Sequence, residues 1–316
     1  MDKVKIKDVC DILNGFAFKS DNYVDKGIRI IRIANVQKGY IEDSTPAFYP
    51  LNSTGLDKYM LDKGDLLISL TGNVGRVAIL QEEMLPAALN QRVACLRIKS
   101  DKISKGYLFH ILNSDFFERK CIQSAKGVAQ KNMSTEWLKN YKIPLYSTEQ
   151  QSEIVSVLDT LQSIICNRKY ELQMLDNLIK ARFVEMFGDP VSNSKGLQEA
   201  TLPEIGIFGR GVSKHRPRND PKLLGGKYPL IQTGDVAAAD LYILSYTSTY
   251  SDIGLAQSKI WNKGTLCITI AANIAKTAIL DFDACFPDSV VGFMANDKTN
   301  NVYIHYWFSF FQRILE

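Results

Sequence analysis

The densest group of basic side chains lies in the segment 210–219, which glycine and proline bound. It contains Lys214, His215, Arg216 and Arg218. Such cations can contact phosphates, and arginine can also read guanine edges through paired hydrogen bonds. The segment is therefore a candidate DNA-binding loop. The alternative is a solvated charged loop, and composition alone does not decide between the two.

Further turns carry amide or cationic side chains: 15–20, 73–76, 90–92 and 129–132. Donors of this kind on the turns of a rigid scaffold favour base reading over the all-lysine patches of non-specific binders. For Asn73 an alternative is open, because Asn273 shares its position in the repeat described below and both can simply hold a turn. The predicted DNA-binding residues are Lys19, Asn73, Arg76, Gln91, Arg92, Lys131, Lys214, His215, Arg216 and Arg218.

The elements that must position these residues are repeated in the sequence. At a shift of 200 residues, 63–70 aligns with 263–270, and the register continues through Asn73 with Asn273 and 78–80 with 278–280. With small gaps, Val93 then meets Val291. Two Lys-Gly turns that precede strands by chance would not keep this register. The sequence therefore predicts a duplicated domain.

Each copy carries signals for both strands and helices. Segments 28–36 and 66–70 are short apolar runs typical of strands, 71–75 is a glycine-rich turn, and a further strand starts at Val77. Residues 107–120 have apolar positions at helical spacing. The predicted fold class is α+β, with two homologous domains joined by a long helix of the coiled-coil type.

That helix is predicted between Ser147, which forms a capping box with Gln150, and Gly188, which precedes Pro190 by two residues. Its length of roughly 60 Å is typical of a spacer. Its apolar residues step by threes and fours, which predicts a seam for a partner helix. The alternative is an amphipathic helix packed on one of the globular domains. The predicted helix-pairing residues are Leu158, Leu161, Ile165, Leu172, Leu175 and Ile179.

Length and composition exclude several classes of protein. The 316 residues, with 46% hydrophobic and 23% charged side chains, suit a globular chain of two domains and not a fibrous or disordered one. No apolar run is long enough for a bilayer span, and the N-terminus lacks the apolar centre of a signal peptide. The six cysteines lie far apart, which favours reduced thiols. We predict a cytoplasmic protein that does not contact membranes.

The chain lacks the motifs of common catalytic sites. There is no phosphate-binding loop of the G-x-x-x-x-G-K-[ST] type, no H-E-x-x-H and no G-x-S-x-G, and the three histidines are isolated. We therefore predict that the chain is not an enzyme by itself and holds no metal or cofactor. A net charge of +4 permits nucleic acid as a partner without requiring it.

Several strings together resemble the specificity subunit of type I restriction-modification systems. They are the start at 15–19, the string 64–75, Asn90-Gln91-Arg92, the helix end at 180–190, and the segments 213–217 and 228–235 in the second copy. The resemblance covers essentially the whole chain. It implies two target-recognition domains that each read one half of a split sequence in double-stranded DNA, held apart by antiparallel helices.

The resemblance also implies partners. DNA adenine methyltransferase subunits dock on such a protein, and motor and nuclease restriction subunits join them; these partners use S-adenosylmethionine, ATP and Mg²⁺. The implied division is a first recognition domain at 1–146, a spacer helix at 147–190 and a second recognition domain at 191–316.

This sequence departs from the family pattern at its end. The second copy stops at Glu316 without counterparts of 124–144 or of the long helix. We therefore expect a truncated subunit whose exposed seam pairs with another chain, including a second copy of itself. One alternative is a decoy that occupies methyltransferase subunits without reading DNA. Another is the recognition part of a larger restriction enzyme.

Overall fold

The computed structural model describes residues 2–125 and 131–315, which form two compact units, Met1–Arg168 and Lys169–Glu316. The boundary falls inside the long helix, so each unit includes part of it. The strands of the first unit are β1 Asp2–Lys5, β2 Cys10–Asn14, β3 Ile28–Ile31, β4 Phe48–Tyr49, β5 Met60–Leu61, β6 Leu66–Ser69, β7 Val77–Ile79, β8 Ala87–Leu89, β9 Val93–Ile98 and β10 Lys142–Leu145. Its helices are α1 Ile6–Val9, α2 Lys105–Leu112, α3 Asp115–Ser124, α4 Thr135–Asn140 and the start of α5 Thr148–Phe187.

Two four-stranded sheets form the first unit, in the orders β2-β9-β6-β7 and β4-β3-β8-β5, together with the pair β1-β10. The first sheet is antiparallel, whereas β3 and β8 in the second sheet run parallel. Strand β6 is buried on both faces. Leu66 and Ile68 pack in the cluster that contains Phe117 of α3, and Leu67 packs in the cluster that contains Leu89 of β8. The sheet β2-β9-β6-β7 therefore lies between the helices and the second sheet.

The second unit repeats this arrangement. Its strands are β11 Gly206–Arg210, β12 Leu224–Leu230, β13 Tyr242–Ile243, β14 Ser248–Tyr250, β15 Ile260–Trp261, β16 Leu266–Thr269, β17 Thr277–Leu280, β18 Ala284–Cys285 and β19 Val290–Ala295. Its helices are the end of α5, α6 Leu202–Ile205, α7 Thr233–Ala238, α8 Asp252–Ala256 and α9 Asn301–Leu315. The sheet orders are β11-β19-β16-β17-β13 and β14-β12-β18-β15, and β12 pairs with β18 in parallel, as β3 does with β8. The predicted α+β duplication is confirmed.

The burial pattern of the central strand is repeated as well. Leu266 and Ile268 of β16 pack with Phe308 of α9, and Cys267 packs with Phe286 on the opposite face. Strand β16 therefore separates a helix layer from a second sheet, as β6 does.

The strand register corrects one detail of the sequence alignment. Ser69 pairs with Val93 across β6 and β9, and Thr269 pairs with Val290 across β16 and β19. The equivalent of Val93 is therefore Val290 and not Val291. The gap falls in the loop before β19, where the sequence offers no motif that could anchor the alignment.

The predicted helix 107–120 is two helices. Helix α2 ends at Leu112, and the Ser114 hydroxyl oxygen accepts the Phe117 N–H at 3.2 Å to cap α3. The same hydroxyl donates to the Ile111 carbonyl at 2.7 Å. A serine that bonds both helix ends favours a break over a continuous helix. The predicted strand 28–36 is likewise shorter, since β3 ends at Ile31.

The long helix has the predicted ends. Helix α5 spans 40 residues, Thr148–Phe187. Ser147 and Gln150 form the reciprocal capping box, each side chain accepting the other's backbone N–H at 3.3 Å. Gly188 follows the last turn with φ 84°. Within the described residues, no helix is long and apolar enough to cross a membrane.

Candidate nucleic-acid interface

In the first unit, backbone hydrogen bonds gather four predicted turns at one end of the sheet β2-β9-β6-β7. The Gln91 N–H donates to the Phe16 carbonyl, and the Leu70 N–H to the Arg92 carbonyl, both at 2.9 Å. The Gly72 N–H donates to the Lys131 carbonyl, also at 2.9 Å. Residues on segments that are far apart in sequence thus lie side by side. Ala129 and Gln130 of the predicted loop 129–132 lie outside the described residues.

The turn after β6 is held by the hydroxyl of Ser69. This hydroxyl donates to the Asn73 carbonyl and accepts the Arg76 N–H at 3.0 Å. In the second unit Thr269 makes the same pair of bonds with Asn273 and Lys276, the latter at 3.0 Å. The backbone carbonyl of each asparagine therefore helps to hold its turn, as the alternative interpretation for Asn73 expects, while the Asn73 residue as a whole is exposed.

Most of the predicted DNA-binding side chains of the first unit face solvent, and Arg76 differs. Its guanidinium Nη1 donates to the Gln37 side-chain oxygen, and the residue is half-buried. Arg76 is therefore held in one orientation, and only part of its donor capacity remains for a ligand. The exposed members are Lys19, Asn73, Gln91, Arg92 and Lys131.

In the second unit, Asp288 holds two of the predicted arginines. Its carboxylate accepts Nη2 of Arg216 at 3.3 Å and Nη2 of Arg218. Its backbone carbonyl accepts Nε of Arg210. The side chains of Arg216 and Arg218 nevertheless remain 54% and 45% exposed. The basic segment is therefore an ordered group of cations around one acid.

The remaining predicted residues of the segment differ in their contacts. The His215 ring lies 3.1 Å from the Asp220 carboxylate, and the backbone N–H of His215 donates to the side-chain oxygen of Gln257 at 2.9 Å. Hydrogen bonds from the Lys222 N–H and from His215 lower the pKa of the Asp220 carboxyl. Lys214 is exposed. His215 thus has a structural role in the loop in addition to its exposed position.

Sequence reasoning missed two side chains at these turns and one aromatic group. Gln37 carries no motif, and its role follows only from its contact with Arg76. Asp288 likewise carries no motif, and its role follows only from its contacts with Arg216 and Arg218. The aromatic group is Phe16, 37% exposed, whose ring centroid lies 5.1 Å from Phe18 and 5.2 Å from Tyr59. Its signal was the Phe16-Ala17-Phe18 string next to Lys19, and aromatic rings beside cations are common in nucleic-acid sites.

The predicted helix-pairing residues form an exposed apolar stripe on α5. Leu158, Leu161, Ile165, Leu172, Leu175 and Ile179 are between 37% and 64% exposed. At the start of the helix, Ile154 and Val155 pack against the first unit's core. At its end, the Phe183 ring lies 5.4 Å from Tyr303 and 5.2 Å from Phe310. Each helix end packs against its own unit, and the stripe between the ends is exposed.

Residues 2–125 and 131–315 contain no cluster of three or more metal-ligating side chains. Burial raises the pKa of the Cys10 and Cys121 thiols to about 12. Thiols protonated to this degree are poor nucleophiles.

The chain thus has two similar sheet units, each with exposed cationic turns, and one long helix. The comparisons with known proteins agree. Residues 1–174 and 196–316 match the family described as the type I restriction modification DNA specificity domain, and the chain belongs to this family.

Curated relatives carry matching names. The type I restriction enzyme MjaVIII specificity subunit of Methanocaldococcus jannaschii is 32% identical over 184 residues, 56% of this chain and 43% of the relative. The EcoBI specificity subunit of Escherichia coli is 28% identical over 180 residues, 56% of this chain and 36% of the relative. The chain thus matches less than half the length of these two. The putative MjaX specificity subunit of M. jannaschii is 24% identical over 343 residues, 99% of this chain and 76% of the relative.

A solved structure has the same fold. The S subunit of a type I restriction-modification system from M. genitalium aligns with a TM-score of 0.59 at 15% identity, over 99% of this chain and 78% of the other. The predicted family resemblance is confirmed by these matches.

Proposed function

We propose that the chain is a DNA-recognition subunit of a type I restriction-modification complex and that each unit contacts one half of a bipartite target in double-stranded DNA. The observation that carries the proposal is the repeated site. In both units a turn held by a hydroxyl, Ser69 or Thr269, ends a central strand beside further turns that expose amide or cationic groups. Such groups on a rigid scaffold suit base reading, while neighbouring cations contact phosphates.

The DNA-contacting residues under this proposal are the exposed polar side chains of those turns. In the first unit Gln91 and Arg92 lie between the Phe16 loop and the β6 turn, where they can reach base edges together with Lys19. In the second unit Lys214 and the two arginines bound to Asp288 supply the donors. Arg76 and His215, whose side chains already have protein partners, support the loops and contribute fewer bonds to DNA.

The helix α5 sets the spacing between the two half-sites under the same proposal. The chain then divides into a recognition domain at 1–146, a spacer at 147–190 and a second recognition domain at 191–316. The exposed stripe on α5 pairs with a second helix, which buries leucine and isoleucine side chains that now face water. We propose a second copy of this chain as the source of that helix.

Solution mass tests the pairing. We expect the purified chain to be a dimer and the variant Leu172→Lys/Leu175→Lys to be a monomer, because two charges in the seam oppose helix pairing. Asn177→Lys adds a charge to the same stretch of helix outside the stripe and serves as the matched control. A wild-type monomer contradicts the self-pairing.

Partner subunits supply the chemistry under this proposal. Adenine methyltransferase subunits dock on the helical region and transfer a methyl group from S-adenosylmethionine, and motor and nuclease subunits use ATP and Mg²⁺. The complex then acts in the cytoplasm, and the chain itself contributes binding without a cofactor of its own.

Methylation mapping tests the function. The chain is expressed with its companion methyltransferase subunits in a host without modification, and N6-methyladenine is mapped across the genome. We expect a split motif with two different halves. A symmetric motif means that only one unit reads DNA, and a stable complex without methylation contradicts the proposal in favour of the decoy.

The variant Arg216→Ala then assigns a half-site to the second unit. If Arg216 contacts a base, its loss costs about 1–3 kcal/mol of binding and relaxes one position of one half-site. An equal loss on every sequence identifies it as a phosphate contact.

A further inference from the structure

We propose that Asp288 determines specificity in the second unit by positioning Arg216 and Arg218 and by screening them from DNA phosphates. This inference rests on the proposed function and adds to it a residue that contributes through its effect on two others. Asp288 is an acid at the centre of the surface that binds a polyanion, so its charge by itself opposes binding. The favourable contribution of Asp288 comes from its contacts with Arg216 and Arg218.

The contacts fix one guanidinium group closely and attach the other to the same acid. Nη1 of Arg216 donates to the carbonyls of Ser213 at 2.6 Å and His215 at 2.8 Å, and its Nη2 donates to Asp288 Oδ2 at 3.3 Å. Arg218 donates to Asp288 Oδ1. The two oxygens of one carboxylate thus hold one arginine each.

The arginines keep donors for DNA. A guanidinium group carries five N–H bonds. Arg216 uses three of them, one to Asp288 and two to the backbone carbonyls of Ser213 and His215, and Arg218 uses one to Asp288. The remaining donors of a held guanidinium group have fixed directions, which paired contacts to a base edge require. The carboxylate also leaves the two arginines with a joint charge of about +1 in place of +2. Phosphate contacts are independent of sequence, so this reduction lowers the binding to non-target DNA more than the reading of bases.

The first unit provides an internal comparison. The Val93 N–H donates to the Asn90 carbonyl, and the Val290 N–H donates to the Pro287 carbonyl. Gln91 and Asp288 therefore occupy equivalent positions, because each directly follows the residue whose carbonyl accepts this bond. The first unit has an uncharged side chain at the position where the second has an acid next to arginines. The acid thus belongs to the charge pattern of the second unit and is not required by the shared turn.

The test compares Asp288→Asn with wild type in the complex with methyltransferase subunits. Asparagine keeps the size of the side chain and removes the charge. Asp281→Asn is the matched control, because it makes the same charge change in the same unit. Asp281 pairs with Lys263 at 2.8 Å at the open end of the β16-β17 hairpin. Asp288 lies near the other end of this hairpin, where the Ile270 N–H donates to the carbonyl of the neighbouring Ser289. The probes are a random-sequence DNA duplex and a duplex pool from which each protein selects its target.

We expect Asp288→Asn to bind the random duplex more tightly and with a steeper dependence on salt. Each freed arginine that gains a phosphate contact steepens the plot of log binding constant against log salt concentration by about 0.9. One such contact therefore makes the binding constant rise roughly eightfold more between about 1 M and 0.1 M salt. The second half-site selected from the pool becomes less defined, and the first is unchanged. Asp288→Glu, which keeps the charge, retains the wild-type slope, and Asp281→Asn leaves both readouts unchanged.

Two failures can be told apart. If wild type selects no motif from the pool, the proposed function is wrong. If wild type selects a bipartite motif and Asp288→Asn matches Asp281→Asn in slope and motif, only the role of Asp288 is wrong. A misfolded second unit would also blur the second half-site, but it would weaken binding to the random duplex and flatten the salt slope. Tighter binding with a steeper slope therefore separates the proposed role of Asp288 from a loss of folding.

Discussion

The buried side chain of Gln151 should control how firmly the long helix is attached to the first unit. Gln151 has no exposed surface. Its Nε2 donates to the carbonyls of Lys102 at 2.8 Å and Tyr146 at 2.9 Å, and its Oε1 accepts the Ser104 N–H at 2.9 Å. Ser104 in turn caps α2 by accepting the Tyr107 N–H at 3.3 Å. One amide group therefore joins the first turn of α5 to the cap of α2.

The variant Gln151→Ala removes all three bonds. A buried polar group left without a partner costs about 1–3 kcal/mol. Water can replace part of the lost bonding at the partly buried loop, so we expect the first unit to lose about 2–4 kcal/mol in total. Ser152→Ala is the control, because the Ser152 hydroxyl is exposed and bonds only within α5, to the Thr148 carbonyl at 3.0 Å.

Hydrogen exchange read by mass spectrometry is the appropriate assay, because a chain of two units need not unfold in one step. Peptides that cover 102–107 and 146–155 should exchange faster in Gln151→Ala, while peptides of the second unit keep their wild-type protection. Ser152→Ala should match wild type throughout. An ordinary surface substitution changes stability by up to about 0.5 kcal/mol. If the opening free energy of both first-unit peptides changes by less than this in Gln151→Ala, the reasoning is refuted.

Three further predictions concern single positions. Burial lowers the pKa of His305, so this side chain takes up a proton at higher pH in the unfolded chain than in the folded one. The thermal midpoint of the second unit should therefore fall as the pH drops below about 6.5, and it should fall less in His305→Gln. Gly75 has φ 86°, and an added Cβ would lie 2.7 Å from the Cys121 Cβ, so Gly75→Ala should destabilise the first unit by about 1–3 kcal/mol. Ala275, the equivalent residue of the second unit, has φ 61°, and Ala275→Gly should change stability by less than about 1 kcal/mol. Equal effects of the two substitutions in denaturant unfolding contradict this prediction. Cys166 is exposed and the other five cysteines are buried, so a chromogenic disulfide reagent should label one thiol in the native chain and all six after unfolding, and a second fast thiol contradicts the burial assigned here.

Much of the architecture could be predicted from the sequence because it depends on strong local signals. The ends of α5 follow from the capping box at Ser147 and the glycine at 188, and both are present. The β6-β7 and β16-β17 hairpins follow from the repeat, since their hydrophobic alternation and glycine-rich turns recur at the same spacing. The break between α2 and α3 was missed because the apolar period continues across it, whereas the Ser114 side chain bonds both ends.

The site was less predictable than the fold because it depends on contacts between distant segments. The sequence identified the turns that carry donors, and the structure shows that backbone bonds bring 16–19, 71–76, 90–92 and 131 to one end of the first unit. The partners of those donors were not visible in the sequence. Gln37 meets Arg76 across 39 positions, and Asp288 meets Arg216 across 72. Pair contacts of this kind have no periodicity or motif, so only the folded chain shows them.

The two copies differ in a way that separates scaffold from recognition. The bonds that hold the turn after the central strand are kept although the residue changes, because serine and threonine both supply the hydroxyl that bonds Asn73 or Asn273. One turn away, at a position with the same backbone hydrogen bonding, the side chain changes in charge from Gln91 to Asp288. Under the proposed function, two units that read different DNA halves need the first kind of contact in both copies and can differ in the second. The same proposal therefore places the difference in half-site preference at the turn before β9 and β19, and not at the glycine-rich turn that the sequence makes more conspicuous.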